Sequence, residues 1–294
     1  MSRFTDALQG TFLRLAAGGL LPATWFGGRD AATVARACRE GKLTLEIVSH
    51  CWRYAHLLSY QLSSLVQHRT DLLEVTMTVF HAEEDERVVE VLDFFGSLDV
   101  EGVRWNWKAL ERERLMRRSI GRNIAAKQTR ADWVWFTDCD IVFHEGCLET
   151  LARELQGRDD PLVFPRRERI TELLEECDER LARARSAPEI RGIPLDEFSP
   201  LAGTRDRAKG AYQITHGDVA RAVGYCDSIG LYQRPADRWR KTYEDRAFRW
   251  LLGTQGTGLD IPGVCQIRHM VKGRYQGSSL IARLRANIRK AQAP

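Results

Sequence analysis

The stretch Trp133-Val134-Trp135-Phe136-Thr137-Asp138-Cys139-Asp140 decides how this sequence folds. Its first four residues are apolar and largely aromatic, which predicts a buried strand, and two carboxylates follow directly. Strand alternation across this stretch predicts that Asp138 and Asp140 point to the same side. Carboxylates placed in this way suit a hard divalent ion such as Mg²⁺ or Mn²⁺, which also accepts phosphate oxygens as ligands.

Strand and helix patterns alternate before this stretch. A period of two predicts strands, and apolar residues three or four apart predict amphipathic helices. The strand patterns lie at 43–50, 73–79, 103–107 and 133–136, and the helical patterns lie at 58–65, 88–95 and 112–129. This alternation predicts a parallel sheet with right-handed crossovers, in which ligands gather beyond the carboxyl ends of the strands.

Composition limits the kinds of protein that this chain can be. At 294 residues, with 44% hydrophobic and 29% charged residues, it is long enough for one large α/β core with a modest appendage. Lysine and arginine exceed aspartate and glutamate by 44 to 40, and the formal charge of +4 is too small to indicate nucleic-acid binding. The charge is compatible with an anionic ligand bound locally.

Cysteine usage and hydropathy predict the compartment. The seven cysteines are scattered and form no CxxC pair, so we expect reduced thiols and a cytoplasmic protein. The most apolar early stretch, residues 12–26, is interrupted by Arg14 and Pro22, which makes it too short for a membrane span. It also lacks the pattern of a secretory cleavage site.

Three features around residue 130 together resemble the GT-A glycosyltransferases, and family-two-like members in particular. They are Arg122-Asn123 on a helix, the strand 133–136, and the DxD motif of Asp138 and Asp140. The likeness covers roughly residues 43–272. It implies an α/β fold of the GT-A type, a Rossmann-like sandwich whose central, mostly parallel sheet is flanked by helices. It also implies a glycosyltransferase that uses a UDP- or GDP-sugar, with Mn²⁺ or Mg²⁺ held by the two aspartates.

The same resemblance assigns residues to the donor and to the metal. The end of the first strand, Ser49 and His50, is expected near the nucleoside, and Asp85 is expected to contact the base. A solvated helix start is the simpler reading of the acidic run around Asp85. The remaining donor-binding candidates are Arg118, Arg122, Asn123, Asp138 and Lys272, and the metal-ligand candidates are Asp138, Asp140 and His269. A purely structural histidine is the alternative for His269.

Residues for the acceptor follow later in the chain. The segment 210–224 resembles the acceptor side of the family's cleft, and Glu244-Asp245 resembles its ED motif. A carboxylate at a helix start has its charged form favoured by the helix dipole, so it can take the proton of an acceptor hydroxyl. For an inverting enzyme this base is Asp245, whereas in a retaining one Glu244 or Asp245 would stabilise the transition state. Simple capping of the helix is the alternative.

The organisation that follows has three parts. Residues 1–42 form an N-terminal helical extension, residues 43–275 a catalytic domain, and residues 276–294 a basic amphipathic C-terminal helix. The catalytic domain divides into a nucleotide-sugar-binding half, 43–145, and an acceptor-binding half, 146–275, with a helical excursion at about 168–200. For the C-terminal helix, peripheral contact with an anionic membrane, packing on the catalytic domain and self-association all stay open. The acceptor, a glycan or a lipid-linked molecule, is not identified by the sequence.

Other functions share some of these features. The motif at Asp138 also fits a phosphatase of the haloacid dehalogenase type, with Asp138 as nucleophile. That family places the motif on its first strand, whereas three predicted strands precede it in this sequence. A sugar nucleotidyltransferase would have a glycine-rich phosphate loop after the first strand, which Ser49-His50-Cys51-Trp52-Arg53 does not supply. A non-catalytic nucleotide-sugar-binding protein also stays open.

Overall fold

The strand Leu43–His50 (β1) lies inside the main sheet with a parallel strand on each side, and the elements around it follow the predicted alternation. The computed structural model describes residues 3–237 and 243–270. The further strands are β2 (Leu73–His81), β3 (Val103–Ala109), β4 (Trp133–Phe136), β5 (Ile141–Phe143), β6 (Leu162–Pro165), β7 (Arg169–Ile170), β8 (Ser199–Pro200), β9 (Gln213–His216), β10 (Thr257–Leu259) and β11 (Val264–Gln266).

Helices connect most of these strands. They are α1 (Arg3–Leu15), α2 (Ala55–Gln67), α3 (Glu86–Gly96), α4 (Arg112–Leu115), α5 (Arg118–Gln128), α6 (Cys147–Glu154), α7 (Glu179–Ser186), α8 (Gly217–Val223) and α9 (Glu244–Leu251). Short 3-10 turns are at Ala23–Phe26, Ala31–Thr33, Leu195–Glu197, Gly210–Tyr212 and Gly230–Gln233, and a π turn is at Ala16–Leu20.

The main sheet is mostly parallel. In the part of the chain that the structure describes, it has seven strands in the order β10-β6-β9-β4-β1-β2-β3. Only β9 runs antiparallel to its neighbours in that sheet, β4 and β6. A second sheet has the order β5-β11-β7-β8 and lies after the DxD motif. The predicted α/β fold with a central, mostly parallel sheet and flanking helices is confirmed.

Both faces of the main sheet are covered by helices. Successive residues of β1 point to opposite faces, so Ile47 packs with the apolar residues of α2 and α3, such as Leu62 and Val91. On the other face, Val48 packs in a second cluster with residues of α5 and α9, among them Phe248. This sandwich of two apolar layers accounts for a strand that is buried at every position except Thr44.

Helix α5 approaches the carboxyl end of β1 very closely, and Gly121 makes this possible. A Cβ atom at Gly121 would lie 2.2 Å from His50 Nε2 and 2.9 Å from the Phe80 ring. His50 is the last residue of β1, and its ring stacks on Phe80 at 5.0 Å. The helix that carries the arginines of the motif therefore lies directly on the end of β1.

Three local predictions need correction. The helix predicted over 112–129 is divided into α4 and α5, because Arg117 leaves helical geometry and its buried side chain donates to the carbonyl oxygen of Arg234. The helical excursion predicted from about 168 begins with β7, which pairs with β8 and β11, and its helix starts only at Glu179. In the N-terminal extension, predicted as helical over 1–42, residues 31–38 contain only one 3-10 turn.

The N-terminal extension packs on α9. The Trp250 indole donates to the carbonyl oxygen of Leu21 at 2.9 Å, and Arg246 Nε donates to that of Ala17 at 3.1 Å. Phe26 also contacts the Trp250 ring at 5.0 Å. The predicted C-terminal helix and Lys272 lie outside the described residues. Among the residues described, none of the helices combines the length and the apolar character that crossing a membrane requires.

We predict that Gly121→Ala destabilises the protein. Helix propensity alone would favour alanine by about 1 kcal/mol, but its methyl group would collide with His50 and Phe80, and such overpacking costs roughly 1–3 kcal/mol. Gly230→Ala is the matched control, since a Cβ there meets nothing within 4 Å. Urea unfolding of both variants measures the difference. Equal stability of the two variants would contradict the close packing of α5.

Candidate active site

The candidate active site lies at the carboxyl edge of β1 and β4. The Thr137 N–H donates to the carbonyl oxygen of Val48 at 3.0 Å, so the residues after β4 run beside the end of β1. Asp138 therefore comes next to the end of the strand that carries His50. This is the edge of a parallel sheet at which ligands bind.

Asp138 is held by two arginines from α5. Its Oδ1 accepts from Arg118 Nη1 at 2.5 Å and from Arg122 Nη2 at 3.3 Å. The backbone of the turn is fixed as well, because Gln61 Nε2 donates to the carbonyl oxygens of Asp138 at 2.9 Å and Ile141 at 2.8 Å. The Asp138 side chain keeps 35% exposure, so it is accessible to a ligand while it is held in place.

Arg118 also pairs with the ED motif. Its Nη2 lies 3.1 Å from Glu244 Oε1, and the Glu244 side chain is only 7% exposed. Burial works against the charged form of Arg118, but the carboxylates of Asp138 and Glu244 outweigh it and raise the pKa of the guanidinium. One cation thus joins the DxD motif to the ED motif, although the two are far apart in the sequence.

A buried chain of hydrogen bonds makes a second connection between the motifs. Arg122 is fully buried, and its Nη1 donates to the Tyr225 hydroxyl at 2.9 Å. That hydroxyl donates to Gln213 Oε1 at 2.8 Å, and Gln213 Nε2 donates to the carbonyl oxygen of Asp245 at 3.1 Å. Since Gln213 begins β9, the antiparallel strand fixes the start of α9 relative to the end of β4.

His50 is next to this cluster. Burial, followed by the charges of Arg122 and Arg118, lowers the pKa of its imidazole well below the usual value. The ring is therefore neutral near pH 7. A neutral imidazole beside two guanidinium groups adds no further positive charge to the site.

Asp140 contacts different residues from Asp138. Residues 139–140 form a turn and do not continue the strand, so strand alternation does not set the direction of these side chains. Asp140 Oδ2 accepts from Gln266 Nε2 at 3.0 Å, which places it towards β11. The Tyr212 hydroxyl lies near Asp140 and donates to Glu168. Burial and the charge of Glu168 raise the pKa of Tyr212 well above its usual value.

The resemblance implies a divalent ion at the two aspartates. In residues 3–237 and 243–270, no three His, Cys, Asp or Glu side chains converge as a metal-binding group. His269 is buried, with its ring 5.2 Å from that of Tyr54. Carboxylate oxygens nevertheless suit Mg²⁺ or Mn²⁺, which bind through one or two carboxylates when substrate phosphates supply further ligands. The residues fit an ion that binds together with a diphosphate.

Three other predicted donor residues make contacts within the protein. Ser49 is fully buried and belongs to the face of β1 that α2 covers. Asp85 Oδ2 accepts from the Arg53 N–H at 2.5 Å. Asn123 donates to Asp227 at 2.8 Å and accepts from the Tyr225 N–H, which holds the loop after α8. Their contacts with a donor stay predictions, as does the role of Lys272.

Sequence reasoning missed several residues that shape the site. Gln61 and Gln266 fix the DxD turn, and neither lies in a recognisable motif. Tyr225 and Gln213 connect the two motifs, and only Gln213 had a sequence signal, since it lies in the segment 210–224 assigned to the acceptor side. Asp245 is the more exposed carboxylate of the ED motif, at 29%, with its Oδ2 3.4 Å from Arg249 Nη1.

Comparisons with known proteins agree with this geometry. The model of the Glycosyl transferase family 2 matches residues 87–217, which include α5, the DxD motif and β9. A search of curated proteins found no significant match.

Among solved structures, S. aureus TarS 1-349 is similar in fold. In complex with UDP-GlcNAc it gives a TM-score of 0.50 at 12% identity, covering 85% of this chain and 67% of that one. Without that ligand the TM-score is 0.46 at 13% identity, covering 78% and 61%. This chain thus spans 61% of that TarS chain. The family match and the sheet topology confirm the resemblance drawn from the motifs, a family-two-like glycosyltransferase pattern on a GT-A fold.

Proposed function

We propose that this chain transfers a sugar from a nucleoside-diphosphate sugar to an acceptor hydroxyl. The observation that carries the proposal is the position of Arg118, whose guanidinium contacts Asp138 and Glu244 at the same time. A reaction of this kind needs a group that receives a departing diphosphate and a group that receives the acceptor's proton. The two motifs suited to those tasks meet at one edge of the sheet.

The donor half of the site supplies positive charge. Arg118 and Arg122 lie together at the DxD turn. The partly exposed Arg118 guanidinium can bind phosphate oxygens in the fork geometry that arginine favours, and the fully buried Arg122 adds positive charge beneath it. A divalent ion held by Asp138 and Asp140 would neutralise the charge that develops on the leaving diphosphate. Because TarS has been solved with UDP-GlcNAc, a UDP-sugar is the first donor to test, followed by GDP-sugars.

The acceptor half supplies the base. Glu244 is buried in its ion pair with Arg118, whereas Asp245, the next residue, is more exposed, so an acceptor can reach Asp245 more easily. In the proposed reaction Asp245 takes the proton of the acceptor hydroxyl as that oxygen bonds to the anomeric carbon. The bond between this carbon and the diphosphate oxygen breaks, and the nucleoside diphosphate leaves. Glu244 keeps Arg118 in position.

The phosphatase alternative is less compatible with the fold. The motif follows β4, the fourth strand along the chain, whereas the phosphatase family places it on the first strand of its sheet. We therefore prefer the transferase, and the experiments below also separate it from a non-catalytic binding protein.

UDP should raise the melting temperature of the protein only when Mn²⁺ or Mg²⁺ is present, because the ion and the diphosphate complete each other's binding site. Asp140→Asn should abolish most of this stabilisation. Asp206→Asn, which changes an exposed carboxylate paired with Arg207, is the matched control and should behave like the wild type. Differential scanning fluorimetry with UDP and GDP, with and without metal, makes the measurement. Stabilisation by UDP in EDTA equal to that with Mn²⁺ would refute the role of the metal.

Asp245→Asn should lower kcat by about 10²–10⁴-fold with little change in the KM for the donor, because it removes the base and leaves the diphosphate site intact. Glu244→Gln should instead weaken donor binding, since it releases Arg118. The rate of UDP release from UDP-sugars, measured with a panel of glycan and lipid-linked acceptors, gives kcat and the KM for the donor. The control is Asp196→Asn, which changes an exposed carboxylate. Full activity of Asp245→Asn would exclude it as the base, and absence of turnover in the wild type with every donor would favour a binding protein.

A further inference from the structure

The exposed large apolar side chains are concentrated at one place. Of those in the described residues, five belong to the N-terminal extension, and the others, Leu72, Ile190 and Leu201, are scattered. We call these five residues the N-terminal apolar surface: Leu8, Phe12, Leu15, Leu20 and Trp25. Single exposed apolar residues are normal on a soluble protein, but a group confined to some twenty consecutive positions indicates a binding surface.

Helix α1 has one buried side and one exposed apolar side. Leu8, Phe12 and Leu15 are spaced four and three residues apart, so they share one side of the helix, and all three are about half exposed or more. Leu13 and Ala16 are buried in the interior. The helix thus uses one side to join the protein and leaves a second apolar side uncovered. Leu20 and Trp25, each 72% exposed, extend that surface beyond the helix.

Charge indicates what covers this surface. From Leu8 to Arg29 the sequence contains no aspartate or glutamate, and its only charged residues, Arg14 and Arg29, are both exposed. Leucine and aromatic side chains beside arginines are typical of segments that lie in the interface of an anionic bilayer, where the rings are buried at headgroup level. A second copy of the chain fits less well, because a two-fold contact would bring two acid-free, arginine-bearing segments together.

We propose that the N-terminal apolar surface binds an anionic lipid bilayer in the plane of its interface. The surface is tied to the helix that carries the ED motif, because the Arg14 guanidinium lies 4.5 Å above the ring of Tyr243, the residue that precedes α9. Arg246 and Trp250 of α9 bond to the same extension. Lipid binding therefore holds the acceptor side of the site at a fixed position relative to the bilayer. The inference goes beyond the proposed reaction and does not depend on it.

Co-sedimentation of the full chain with vesicles tests the proposal. We expect the wild type to bind vesicles of phosphatidylcholine with about 30% phosphatidylserine, and to bind pure phosphatidylcholine much less. The double variant Phe12→Gln/Trp25→Gln should reduce binding to the anionic vesicles by about tenfold or more, since two interfacial anchors are lost. Leu201→Gln, which removes an exposed leucine elsewhere, is the matched control and should bind like the wild type.

Two results would overturn the proposal. Unchanged vesicle binding by the double variant would assign the membrane contact to the basic residues of 271–294, which are intact in that variant. A wild type that does not bind vesicles but forms a dimer in analytical ultracentrifugation, with the double variant monomeric, would assign the surface to a second copy. Circular dichroism melting of each variant verifies folding. If the melting temperature of Phe12→Gln/Trp25→Gln falls, the double variant Leu15→Gln/Leu20→Gln replaces it. Since no sugar donor is used, these outcomes are distinct from failure of the proposed transferase.

Discussion

The ion pairs of Arg118 with Asp138 and Glu244 are the interaction on which the rest of the site depends. They join the turn after β4 to the start of α9, two parts of the chain that are more than a hundred residues apart in the sequence. Carboxylates brought this close to each other at a sheet edge would repel without a cation between them. The arginine lets both be charged in one place, and Arg122 beneath it adds a second, fully buried cation. Charge balance therefore limits how near the two carboxylates can be.

The sequence predicted the fold well because its signals were local. Apolar alternation in β1, β2 and β4 and the spacing of α2 and α3 each depend on a few neighbouring residues, and the structure has them close to the predicted bounds. The division at Arg117 was missed because it results from a contact with Arg234, a residue more than a hundred positions away. The start of α7 was missed for a related reason, since pairing with β11 gives residues 169–170 a strand geometry.

The candidate site was predicted less completely. Asp138, Arg118 and Glu244 had motif signals, and the structure brings them together. Gln61 and Gln266 had none, because a glutamine that bonds a backbone carbonyl or a carboxylate is chemically ordinary until the fold places it. The direction of Asp140 was derived from strand alternation, which stops at the turn of 139–140. Where the chain leaves regular structure, side-chain direction is set by tertiary contacts that periodicity does not contain.

The docking of the extension on α9 has a consequence for the order in which the protein matures. The hydrogen bonds from Arg246 and Trp250 span 229 residues of sequence, so this contact closes a long stretch of chain. β1, β2 and β3 can pair long before that, since each is adjacent in sequence to the next. Closing so long a loop is slow, and an apolar segment without its partner is prone to aggregate. A lipid surface that covered the N-terminal apolar surface would protect these residues until the extension has docked on α9.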